Sequence, residues 1–468
     1  MINSSTSGTS NTAAPQSHNQ GTTNKGILDM NAFDHHSAQS PAAKRRLANQ
    51  GAAAVLFYQQ PIEMVSAQGA WMQAADGTEY LDCYNNVPCI GHSHPAVTEA
   101  VSQQLSKLNT HTRYLVDVVD EYLEALKARL PAELSNVMLT CSGSEANDLA
   151  MRVAMAHSGA RGFIVTEAAY HGNTALVTDA SPSSLKRGQL PDHVVTIPAP
   201  AKSYYAADIT DPQQAELAIR QGFARDVQRA IDTLQQRGHG VAGLLVDSVF
   251  SSDGIHTAPQ GFLADAVAAV KRAGGLYLAD EVQPGFGRLG SHFWGFQFHG
   301  LIPDVVTMGK PMGNGFPMAA MVTRPDLLAD FCQTTGYFNT FGGNPVACAA
   351  GLAVLQVLKQ ENLLANASQR GKELKQGLLQ LAREYPTLAE VRGQGLFIGV
   401  DIHNASGQPC ASTTKHLIEQ LKQQKVLSGA AGLLGATLKL RPSMTLNDRE
   451  VDFFLTAMRV ALRKSTID

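Results

Sequence analysis

A chain of 468 residues, 44% hydrophobic and 16% charged, is long enough for more than one structural unit around a sizeable core. Its 37 basic and 40 acidic residues are interspersed and nearly balance, at −3, which argues against a nucleic-acid partner or an anionic membrane surface. No apolar run approaches the ~20 residues of a membrane-spanning helix, the N-terminal stretch lacks the apolar core of a secretory signal, and a cytoplasmic protein is expected.

Residues 1–40 are rich in Ser, Thr, Asn, Gln and Gly and poor in apolar anchors, the composition of a disordered arm. The pair His35–His36 inside it reads as incidental, and no metal site is expected. Order is expected from 41–47 onward. The alternating pattern over 62–82, broken at Asp76–Gly77, predicts a hairpin. The loop 85–95 crowds polar groups, and His92 and His94 read first as hydrogen-bonding supports of that loop. Helices over 96–108 and 119–129 follow from apolar residues at three- and four-residue steps. Asn136–Thr140 reads as a strand that CSGSEAND turns into a helix, with Ser142 and Glu145 at the spacing of a capping box. A helix N-terminus directly after a buried strand offers unpaired amide donors and partial positive charge. Gly143 and Ser144, supported by Ser142, therefore make a candidate phosphate cup.

A strand is predicted over 162–166, a Pro- and Ser-rich connection over 185–205, and a long polar surface helix over 211–237. Gly243–Asp247 reads as a buried strand and 261–272 as a crossover helix. The runs 275–279 and Val305–Met308 are short, apolar and without helical period, as in strands buried on both faces of a parallel sheet. One ends at Asp280 and the other just before Lys310, so both residues project from the edge where such sheets hold ligands. A carboxylate for a pyridinium nitrogen and an amine to form an imine are the two contacts a pyridoxal-phosphate site requires. Alternation from Asn136 to Thr323 predicts an α/β fold with a large, doubly wound, mostly parallel sheet. Further helices are expected over 347–358 and 365–385. The segments 391–401, 437–441 and 448–463 complete a smaller α+β domain. The expected division is 41–95 and 351–468 for the two parts of that small domain, and 96–350 for the large one. The six cysteines (Cys83, Cys89, Cys141, Cys332, Cys348, Cys410) show no CxxC or mixed His/Cys spacing, so free thiols are expected.

ADEVQPGFGRLG and TMGKPMGNGFP, together with CSGSEAND, AYHGN and FNTFGGNP in this order, resemble the class III aminotransferases of fold type I. The similarity runs from about Phe57 to Ala457. It implies pyridoxal 5'-phosphate as cofactor, with Lys310 holding it as an imine and later moving the proton. It further implies Asp280 on the ring nitrogen, Tyr170 against the ring, Gln283 on the ring oxygen, and the phosphate at Gly143 and Ser144. Thr340 would reach the phosphate held by a partner subunit, in a homodimer or dimer of dimers. In many members an arginine where Arg441 stands grips a substrate carboxylate through its fork. The glutamate that pairs with it in enzymes of the ornithine and 4-aminobutyrate types corresponds here to Ser252. CYNNVPCIGHSHP, SKLNTHTRYL and GQGLFIGVDI are similar to the ethanolamine-phosphate phospho-lyase subgroup, whereas GRLGSHFWGFQ and NGFPMAAMV resemble alanine–glyoxylate aminotransferase 2. The expected activity is amino transfer from an amine or amino acid to an oxo acid such as pyruvate. The alternative is elimination of phosphate from an amino alcohol phosphate such as phosphoethanolamine. A non-catalytic cofactor-binding regulator would need a DNA-binding extension, and the N-terminal arm is neither basic nor helix-turn-helix-like.

Overall fold

The computed structural model describes residues 31–32, 40–186, 188–257 and 259–465. The expected disordered arm, with His35–His36, thus falls almost wholly outside the described residues. Ser40 opens helix α1 (Pro41–Gln50) by accepting from the Ala43 N–H at 3.1 Å. Strands β1 (Met64–Gln68), β2 (Trp71–Ala74) and β3 (Glu79–Asp82) pair antiparallel. The β2–β3 turn falls at Asp76–Gly77 as expected: Gly77 has φ 84° and the Asp76 carboxylate accepts from the Thr78 N–H. Helices α2 (Pro95–Lys107) and α3 (Asp117–Lys127) lead to the large sheet.

That sheet takes up β4 (Asn136–Thr140), β5 (Phe163–Thr166), β6 (Val194–Ile197), β7 (Gly243–Asp247), β8 (Leu276–Asp280), β9 (Val305–Met308) and β10 (Ala319–Thr323). Their spatial order is β4-β10-β9-β8-β7-β5-β6. The block from β9 to β6 is parallel, while β10 runs antiparallel to both of its neighbours. The structure corrects the sequence reading at β6, which lies inside the stretch taken for a plain connection. A four-residue strand in the six-residue gap between Pro191 and Pro198 is too short for its periodicity to stand out. All residues of β8, β9 and β10 are buried, which is why these segments read as unbroken apolar runs.

Helices α4 (Gly143–Ser158), α5 (Pro212–Gln236), α6 (Leu263–Arg272), α7 (Pro325–Thr334), α8 (Pro345–Gln360) and α9 (Leu363–Glu384) surround the sheet and extend beyond it. The expected polar helix α5 buries one stripe of Ile219, Phe223, Val227 and Ile231 at four-residue steps, so most of its polarity belongs to the outer face, with Asp226 buried beside the stripe. In the last part of the chain the segment read as a single stretch over 391–401 is a hairpin, β11 (Leu388–Gln394) and β12 (Phe397–Ile402). Gly395 makes its turn with φ 56°, and a Cβ there would meet the Arg288 carbonyl at 2.5 Å. Helix α10 (Ala411–Gln423) and strands β13 (Val426–Leu427), β14 (Gly429–Ala431) and β15 (Thr437–Leu440) follow, then α11 (Asp448–Ser465). β13 pairs in parallel with β3, so the two ends of the chain share a sheet. β11-β12-β15-β14 form a third sheet, which delivers β15 to the carboxyl edge of the large one. Among the described residues no helix is long and apolar enough to cross a membrane.

Candidate active site

Strand register sets the site. β7 and β8 end side by side with Asp247 opposite Asp280, and β8–β9 pairing places Thr307 beside Asp280. Asp280 Oδ2 accepts from His171 Nδ1 at 2.7 Å and from Asn147 Nδ2 at 2.9 Å, while Oδ1 accepts from the Val282 N–H at 3.0 Å. A carboxylate only accepts, so this His171 nitrogen carries the proton. Burial alone would raise the Asp280 pKa. The His171 bond and charge, joined by the Val282 N–H and the Lys310 charge, outweigh it and hold the carboxyl below its ordinary range. Asn147 is locked in turn, accepting from Thr307 Oγ1 at 2.6 Å and donating to the His171 carbonyl at 2.7 Å. Sequence reading did not bring His171, Asn147 or Thr307 to Asp280. The available signal was one amide among Ala146, Leu149 and Ala150 on the buried face of α4.

Asp247 behaves oppositely. Burial and the Asp280 charge push its pKa up, the reverse of the shift at Asp280. Lys310 follows β9 after Gly309; burial depresses its ammonium, Asp280 opposes, and Arg441 adds to the depression. A second lysine that strand-end reasoning did not find, Lys439, arrives from β15. It is buried and donates to the Ser251 carbonyl at 2.7 Å, and burial pushes its pKa well below the ordinary value.

At the start of α4, Ser142 Oγ accepts from the Glu145 N–H, and Glu145 Oε2 accepts from Ser142 Oγ and from the Cys141 N–H. The capping pair is present, with its carboxylate reaching one residue further back than a standard box. Gly143 and Ser144 thus begin the helix with their N–H groups free of the preceding turn. A Cβ on Gly143 would lie 3.0 Å from Val282 Cγ2, and one on Gly309 would lie 3.5 Å from Gly143 Cα. A side chain at Gly143 would crowd Val282, whereas the approach at Gly309 is an ordinary contact, so Gly143 in particular lets the helix start sit close to the end of β8. An ionised carboxylate, an amine with lowered pKa and helix N–H donors suit the ring nitrogen, carbonyl and phosphate of pyridoxal phosphate, so the residues present fit that group. Tyr170 is half-buried in the loop after β5, and burial raises its hydroxyl pKa. Thr340 is exposed. Its neighbour Asn339 donates to Glu145 Oε1 at 3.3 Å, which places the loop beside the start of α4.

Gln283, three residues past Asp280, accepts at Oε1 from Arg441 Nη1 at 2.6 Å, and its carbonyl accepts from Asn86 Nδ2. The Arg441 guanidinium lies over the Tyr84 ring at 4.9 Å, and its Nε finds no partner among the described residues. Burial lowers its pKa, against the influence of Tyr84 and Asp82. Ser252 does not meet Arg441; its carbonyl accepts from the Gly432 N–H. His92 bonds Asp82 at 2.8 Å and His94 caps α2, the supporting roles their loop suggested. Arg288 and Trp294 are likewise tied to backbone carbonyls, those of Leu396 and Pro442 and that of Arg129.

The aminotransferase class-III family profile matches residues 54–462. An alanine–glyoxylate aminotransferase 2-like protein of Drosophila melanogaster is 36% identical over 427 residues, covering 89% of this chain and 86% of the relative. An ethanolamine-phosphate phospho-lyase homolog of Caenorhabditis elegans is 33% identical over 455 residues, covering 92% and 97%. Among solved structures, a phospholyase from Arthrobacter in complex with phosphoethanolamine superposes with a TM-score of 0.86 at 42% identity, covering 90% of this chain and 99% of that one.

Proposed function

From its place among the pyridoxal-phosphate-dependent class III aminotransferases, to which this chain belongs, we propose that it moves an amino group from an amine or amino acid to an oxo acid such as pyruvate through the site at Asp280 and Lys310. The observation that carries this reading is the convergence of an ionised Asp280, clamped by His171 and Asn147, with the depressed amine of Lys310. When bound, pyridoxal phosphate supplies a carbonyl that captures amines and a ring that takes up electrons. Asp280 keeps a negative charge against the ring nitrogen. Lys310 would hold the cofactor at Nζ and would take up and return the substrate proton there; a depressed amine suits both tasks. Gly143 and Ser144 would give their N–H groups to the phosphate, with Ser142 fixing the helix start. Tyr170 would cover the ring, Gln283 would meet its oxygen, and Arg441 would take the anionic group of the substrate.

A second reading, phosphate elimination from an amino alcohol phosphate, is favoured by the 42% identity to the Arthrobacter phospholyase and by the buried cations Arg441 and Lys439 at the site. Incubation with amines, amino acids and phosphoethanolamine, assaying new amino acid and released phosphate separately, tests both. Amino acid formed only when an oxo acid is present is the expected result. Rapid phosphate release without an oxo acid, and no detectable aminotransfer, would reverse the order.

A homodimer belongs to the same proposal. Leu115 is 97% exposed, and with Tyr114 and Phe338 it lines a cavity of about 250 Å³; nearby Phe341 is 71% exposed, and exposed apolar surface of this kind marks an interface. We place the enzyme in the cytosol on its six unpaired cysteines; cell fractionation with a matched antibody checks it.

A further inference from the structure

We propose that Gln283 is a positioning residue for Arg441: its single carboxamide holds the arginine through oxygen and turns only N–H donors toward the cofactor ring oxygen, coupling anion recognition to the cofactor. This deepens, and rests on, the reading that Arg441 receives the substrate's anionic group.

An arginine has donors and no acceptor, so the Gln283 atom at 2.6 Å from Nη1 is the amide oxygen. Arg441 therefore sets which way the amide points. Both partners are pinned. The Gln283 carbonyl accepts from Asn86 Nδ2, and the Arg441 N–H donates to the Cys83 carbonyl at 2.7 Å. Arg288 Nη1 donates to the carbonyl of the next residue, Pro442, at 2.6 Å, and the Tyr84 ring faces the guanidinium. A guanidinium held at these points does not swing away between substrates. It is 6% exposed, yet its Nε–H is unpartnered among the described residues. A buried donor is rarely left so, and an oxygen of a carboxylate or phosphate would complete it. The latch itself is neutral, so an anionic ligand does not compete with a fixed carboxylate for Arg441. A glutamate at position 283 would create that competition through a charge-assisted bond.

The test uses wild-type holoenzyme and the variants Gln283→Glu and Arg441→Ala. Each is titrated with pyruvate and, separately, with inorganic phosphate, and the pH midpoint of the visible cofactor band is measured without any anion. Gln283→Glu should weaken whichever probe the wild type binds by about tenfold. Arg441→Ala should abolish saturable binding and also move the pH midpoint by about half a unit or more, through the lost amide orientation together with the lost charge that depresses Lys310. Wild-type anion affinity in Gln283→Glu, or a wild-type midpoint in Arg441→Ala, would overturn the coupling. Unchanged anion affinity in Arg441→Ala would instead remove the underlying assignment of Arg441, a separate failure. If Gln283→Glu does not fold, Gln283→Met, close in volume and without polar atoms, must shift the midpoint, and Arg441→Ala must add less to that shift than it causes alone. Additive shifts refute the proposal.

Discussion

Replacing Asn147 by alanine tests the clamp on Asp280 most directly. The side chain is wholly buried and makes three hydrogen bonds, to Asp280, to Thr307 and to the His171 carbonyl. Losing a bond to a charged group is worth roughly 1.5–3 kcal/mol, and a buried hydroxyl left unsatisfied costs about 1–3 kcal/mol. The losses share one site and do not add fully, so the expected destabilisation is about 3 kcal/mol. Asp280 would keep only His171 and the Val282 N–H, its pKa would rise, and cofactor affinity should fall by about tenfold. Urea denaturation of the apoprotein and a fluorescence titration with pyridoxal phosphate measure the two effects. Thr307→Val completes a double-mutant cycle. With Thr307 already silent, Asn147→Ala should cost about 1 kcal/mol less than it does alone. A loss below about 0.5 kcal/mol, or additive single effects, would mean that the three bonds are not one network.

Lys310→Ala should fold, lose the visible absorption of the holoenzyme and all turnover; a borohydride-trapped cofactor on another lysine, Lys439 above all, would end the assignment. Thr340→Ala should weaken cofactor retention more than folding if the loop completes a neighbour's phosphate site, and a fully active monomer by analytical ultracentrifugation would contradict the dimer. Arg441→Lys should raise the Michaelis constant for the oxo acid by about tenfold while sparing the half-reaction with a simple amine, and equal losses for both substrates would count against a carboxylate fork. Glu281 is pushed up by burial to about 7 from an ordinary 4.5, despite bonds from Ser248 and the N–H groups of Gly295 and Phe296. Between those values the folded chain holds a proton the unfolded chain has released, so Glu281 withdraws stability as pH rises through the window. Glu281→Gln should flatten that fall in thermal midpoint, and parallel profiles of variant and wild type would refute it.

Local pattern made the chemistry legible wherever the chain writes it contiguously. Two short apolar runs placed Asp280 and Lys310 on one sheet edge, because a strand buried on both faces needs no alternation. Ser142 and Glu145 marked the start of α4, because a capping pair is a four-residue device. β6 escaped, since a four-residue strand carries too little period. The reversed direction of β10 is a matter of hydrogen-bond pairing and leaves no trace in composition. The support of the site was illegible for a different reason. Asn147, His171 and Thr307 lie on a helix, a loop and a strand, and they meet at Asp280 only once β8 and β9 are in register. Lys439 comes from a third sheet, more than a hundred residues further along the chain than Asp280 and Lys310. The sequence by itself determined which residue types are present and how each short segment folds. Only tertiary structure decided which buried polar group satisfies which other, because a hydrogen bond depends on distances of about 3 Å that chain separation does not encode.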